Sequence, residues 1–186
     1  MNDKQTNSFL RALRIDLRRS ISSGSFCITV LLLIIWLIIN CSDVLFHKGF
    51  RMLTSLPEML NVATIDQINI AYLLFAIAPF CYAWSYYTDC ACSFAIQAIE
   101  RVGVENYALS KVISTAVSAF LAAIAAMSIF SLFFFFFHLP YPDKDIVANK
   151  VAYLQIVADG KIWLYLLVRF IITGLTCSFA AVFSLT

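Results

Sequence analysis

Charge is what this sequence has least of: Asp, Glu, Lys and Arg make up 13% of its 186 residues, against roughly a quarter in soluble globular domains. That shortage, beside 62% hydrophobic residues, excludes an ordinary soluble enzyme domain. A basic excess is missing as well, since 13 Lys and Arg stand against 11 Asp and Glu. A net charge of +2 lacks the concentrated basic surface that binds nucleic acid. Glycine is scarce, with five in the chain and none in the spacing of a phosphate-binding loop, so any nucleotide must be held by another chain. No apolar stretch carries paired His, Asp or Glu suited to metal binding or acid–base chemistry. The sequence therefore offers no catalytic residue, no metal site and no cofactor. Six cysteines do not change this, because Cys27, Cys81 and Cys177 fall in apolar stretches and Cys41 at a boundary. Cys90-Ala91-Cys92 lacks a second ligand pair at zinc spacing and reads as small apolar filler. His47 and His138 are isolated surface or interfacial residues.

What the chain has in abundance is long apolar runs. A helix crossing the hydrocarbon core needs about 20 predominantly apolar residues, and residues 24–42, 68–88, 111–138 and 162–186 each supply such a run. The expected fold is an all-α integral membrane protein, a bundle of about four transmembrane helices forming one domain over 1–186. Pro79 should kink the second span, and Tyr82, Trp84, Tyr86 and Tyr87 should anchor it at headgroup level. In the third, Ser110, Ser114, Ser118, Ala122 and Ala126 recur every four residues, a small-residue stripe that lets a neighbouring helix approach. The fourth carries Arg169, which either snorkels to the starting interface, the expected outcome, or faces a polar path inside the bundle. No polar segment follows this span, which points to a fragment or truncated product.

Lys4, Arg11, Arg14, Arg18 and Arg19 precede the first span, so the positive-inside bias places the N-terminus in the cytoplasm and orients the protein in the cytoplasmic membrane. Residues 7–21 read as an amphipathic interfacial helix, with Leu10, Leu13, Leu17 and Ile21 on one face. It serves either as a basic anchor or in specific docking. The connection 43–66 is then external, 89–110 cytoplasmic and 139–161 external again. Asn40-Cys41-Ser42 is formally a glycosylation sequon, but lies too near the membrane to be used.

The cytoplasmic segment is the most informative stretch. Asp89 follows the second span, Phe94, Ile96, Ala98 and Ile99 suit a short helix, and Glu100 and Arg101 end it before Gly103 breaks it. Tyr107 and Ser110-Lys111 then open the third span. By charge pattern alone this is a solvated connector. With the basic N-terminal helix and the order of spans, however, the arrangement over roughly residues 7–130 resembles the permease subunit of type-2 ABC transporters. Ala91-Cys92-Ser93 stands where that family often has Gly-Thr, and the family has six spans where four fit here. The resemblance implies that 89–110 is a coupling segment seated in a cleft of a separate ATPase subunit. It also implies a homodimer or paired permease that moves substrate, in the exporting direction, while the ATPase does any hydrolysis. Asp89, Phe94, Ile96, Ile99, Glu100 and Arg101 would then contact the ATPase, and Ser114, Ser118, Ala122 and Ala126 would pack helices. A non-transporting integral membrane scaffold or immunity protein is the alternative.

Overall fold

The computed structural model describes residues 3–47, 56–64, 76–80, 87, 99–100, 103–137 and 161–184. Its ordered elements are helices, and no strand occurs among the described residues. Helix α1 spans Asp3–Ile21, α2 Gly24–His47, α3 Leu56–Thr64, α4 Val104–Phe137 and α5 Ile162–Phe183. Three of these are long and apolar enough to cross a membrane: α2 over Gly24–Ser42, α4 over Val104–Phe136 and α5 over Ile162–Phe183. The chain is accordingly a membrane protein with several spans. The run expected to cross at 68–88 lies mostly outside the described residues.

A short corner separates α1 from α2, and serine chemistry makes it. Ser22 N and Oγ both donate to the Arg18 carbonyl, at 3.0 and 2.7 Å, closing α1. Ser23 then caps α2 by accepting from the backbone N–H of Phe26 at 3.3 Å, which satisfies one of the donors a helix start leaves open.

Helix α4 is the central element, with α1, α2, α3 and α5 all packed against it. Its 34 residues extend about 50 Å at 1.5 Å per residue, well beyond a hydrocarbon core of about 30 Å. The surplus leaves room at its N-terminal end for α1. Further along, small side chains bring the helices together: Ala119, Ala122, Ala123 and Ala126 of α4 are buried, as are Cys177, Ala180 and Ala181 of α5. Ser178 Oγ of α5 lies 2.9 Å from the Ala116 carbonyl of α4 as well as from its own helix at Gly174. A Cβ at Gly174 would fall 2.6 Å from the Phe120 ring, so glycine there is what lets α5 lie against α4. On the outside, Leu31, Ile35 and Ile38 of α2 and Leu167, Ile171 and Phe179 of α5 are exposed, as lipid-facing residues are.

Helix α3 is a departure from the sequence reading, which treated residues 43–66 as a connection. Leu56, Met59, Leu60 and Ala63 recur at helical spacing and are all buried, so the segment folds back over the end of α2. There Asn40 Nδ2 donates to the Ala63 carbonyl at 2.8 Å, and Cys41 Sγ makes a long contact of 3.7 Å with the Met59 carbonyl. Asn40 is thereby sealed, which removes it as a glycosylation acceptor for a second reason.

Candidate functional site

The chemistry with the highest stakes lies where α1 crosses the start of α4. Lys111 Nζ sits 2.9 Å from Asp16 Oδ1, and the side chains are 6% and 8% exposed. Ser110 Oγ donates to Asp16 Oδ2 at 3.0 Å, with the Tyr107 carbonyl as an alternative acceptor at 2.9 Å. The Tyr107 ring lies 5.1 Å from the ammonium and adds a cation–π contact. Two charges removed from water are tolerable when they face each other and are further hydrogen-bonded; here they face each other, and the second Asp16 oxygen accepts from Ser110. The cluster ties together residues about 95 positions apart in the chain.

Local sequence explains the geometry of the seam. Ser20 follows Asp16 by four residues, so both lie on one face of α1, and both are buried. Leu13 and Leu17 flank that face and are half-buried, whereas Leu10 and Ile21 are exposed. The apolar stripe read from sequence is thus not the face that docks. The helix is rotated towards its acid, because an unmatched Lys111 near the membrane costs more than two leucine or isoleucine side chains left to lipid. Arg11, Arg14 and Arg18 are exposed on the opposite side, and Arg19 is exposed at the flank of the docking face.

Just before α4, Ile99 and Glu100 are helical, the first half-buried and the second exposed. Gly103 ends that helical stretch: its N–H donates to the Ile99 carbonyl at 2.8 Å, and its φ is +87°. That left-handed conformation favours glycine and is the usual stop for a helix. The Gly103 carbonyl then accepts from Tyr107 N at 3.0 Å, which starts α4. Asp89, Phe94, Ile96 and Arg101 lie outside the described residues. Ser114, Ser118, Ala122 and Ala126 are all buried along α4, and the serine hydroxyls bond back to carbonyls of their own helix, Lys111 and Thr115. Ser110, by contrast, belongs to the α1 seam.

A second buried polar group occupies the α5–α3 contact. Arg169 is 7% exposed, and its Nε donates to Tyr165 Oη at 3.2 Å, while Tyr165 Oη donates to the Pro57 carbonyl of α3 at 3.2 Å. Its guanidinium also stands 5.5 Å from the Tyr165 ring. The expected snorkelling to an interface is therefore not what happens. The side chain does run back one turn towards the helix start, but α3, which sequence reading did not foresee, closes that region within the protein.

Among the described residues no group of three or more His, Cys, Asp or Glu is placed to hold a metal ion. No protein-family model, curated protein or solved structure matches this chain.

Proposed function

We propose that this chain is the membrane-spanning subunit of a type-2 ABC transporter, pairing with a second permease and moving substrate outward across the cytoplasmic membrane. ATP hydrolysis belongs to a separate subunit, and this chain performs none. The observation that carries the reading is the buried Asp16–Lys111 pair, which fixes the N-terminal helix to the base of α4. The segment 89–110 enters α4 at that same end, through the Gly103 turn. In the resembled family the N-terminal helix and the coupling segment flank one ATPase-facing surface; the reading is supported by α1 packing at the first turns of α4, which Ile99, Glu100 and Gly103 shortly precede in the chain.

The mechanism is mechanical. Closure of the ATPases presses on the segment around Ile99 and Glu100, and α4 and α1, held by their ion pair, respond as one body. Such a switch needs contacts that differ between its two states, and the coupling segment supplies them. The N-terminus faces the cytoplasm, consistent with the exposed arginines of α1.

The test is co-purification. The tagged chain, expressed with its neighbouring genes and solubilised gently, should bring down an ATPase. A variant carrying Ile96→Asp and Ile99→Asp should insert normally, lose that ATPase and fail to transport. If well-folded natural chain recovers no ATPase, the reading falls and the scaffold or immunity alternative replaces it.

A further inference from the structure

The outer arc of α1 is basic and apolar at once. Of its two acids, Asp3 and Asp16, the second is turned into the seam and matched by Lys111, so among the described side chains α1 shows the outside no negative charge. What it does show is Arg11, Arg14 and Arg18, spaced three and four residues apart as one ridge. Leu10, 55% exposed, and Ile21, 42% exposed, run along the border of that ridge.

The height of this surface is set by the corner. Only Ser22 and Ser23 separate α1 from α2, and α2 is apolar enough to cross a membrane from Gly24 onward. The C-terminal end of α1 is therefore held at the level where α2 enters the bilayer, and Asp16 is tied beside the start of α4 by Lys111. At that level exposed leucine and isoleucine are stabilised by the acyl boundary, while arginines reach the phosphate layer on their flexible stems. A guanidinium matches a phosphate with two parallel hydrogen bonds and keeps its charge at any physiological pH. Charge complementarity and the position of the corner together select one occupant.

We infer that Arg11, Arg14 and Arg18, with Leu10 and Ile21, form a docking surface for the headgroups of anionic phospholipids. The buried ion pair is what presents it, because pinning Asp16 to Lys111 fixes the rotation of α1 and turns the arginine ridge outward. The inference rests on α2 crossing a membrane and not on the transporter reading.

The experiment uses the full chain, stripped of lipid in mild micelles and titrated with phosphatidylglycerol or phosphatidylcholine, with bound lipids counted by native mass spectrometry. The natural chain should retain phosphatidylglycerol in preference. In the Arg11→Gln/Arg14→Gln/Arg18→Gln variant that preference should fall by about fivefold for each arginine removed, following the usual contribution of one basic residue at an anionic surface. The corresponding triple lysine variant keeps the charge and should keep most of the preference. All three positions are exposed, so the melting temperature in micelles should not change. Equal retention of the two lipids by the natural chain, or undiminished phosphatidylglycerol binding by the glutamine variant, overturns the proposal. An acidic protein captured at the ridge in place of lipid would also overturn it. No ATPase takes part, so failure here leaves the co-purification result unaffected.

Discussion

Lys111→Met should destabilise the folded chain by about 3–5 kcal/mol, the range found when one partner of a buried ion pair is removed. Asp16 Oδ1 loses the ammonium 2.9 Å away and keeps only the Ser110 hydroxyl on its other oxygen, a poor substitute for a counter-ion in a site closed to water. The carboxylate has one escape, which is to pull α1 off α4 and return to water. The loss should therefore show first as release of α1, with protease cleavage between residues 9 and 21 preceding global unfolding in micelles. The double variant Asp16→Asn/Lys111→Met removes both charges and leaves a neutral amide for Ser110. It should recover most of the stability, because a buried pair replaced as a whole is often close to neutral. Equal destabilisation in the single and double variants would show that packing, and not charge matching, holds the seam.

Tyr165→Phe should cost about 2–3 kcal/mol, because its hydroxyl serves two partners: it accepts from the Arg169 guanidinium and donates to the Pro57 carbonyl, each at 3.2 Å. Hydrogen bonds to charged groups are worth about 1.5–3 kcal/mol, and a buried acceptor that loses its donor adds a desolvation penalty. The effect is directional. Pro57 belongs to α3, so the substitution should loosen α3 where it covers Cys41, which is fully buried. A loss of about 2 kcal/mol in that local closure corresponds to roughly thirtyfold more of the open form. Cys41 should accordingly react about thirtyfold faster with a small maleimide, read by peptide mass spectrometry, while Cys27, already exposed, reacts at an unchanged rate. An unchanged Cys41 rate would mean that the Tyr165–Pro57 bond does not hold α3 down.

The membrane-spanning helices were legible because their signal is local: an apolar run of sufficient length on α2, α4 and α5 needs no knowledge of the rest of the chain. Gly103 was legible for a similar reason, since one residue type suits one backbone conformation. The Asp16–Lys111 pair was not, because its halves lie 95 residues apart and each looks ordinary alone. A faint signal existed: Asp16 is an isolated acid among arginines, and Lys111 is the one cation at the start of a long uncharged run. Helix α3 carried a clearer one in the spacing of Leu56, Met59, Leu60 and Ala63, masked by its shortness and by Pro57, which is tolerated in a first helical turn. Missing α3 also misdirected the reading of Arg169. Without that cover a guanidinium near the start of a span is expected to turn back to water, the cheaper destination.

The proposed function requires an ATPase to dock on the chain just ahead of α4, and photo-cross-linking at Glu100 tests this most directly. Glu100 is exposed and three residues before the Gly103 turn, so a photoactivatable residue placed there in cells reports whatever sits on that surface. The account predicts a cross-linked product containing an ABC-type ATPase, absent when the same group replaces the exposed Phe136 at the other end of α4. A product at position 100 that contains some other protein, or lipid alone, would contradict it.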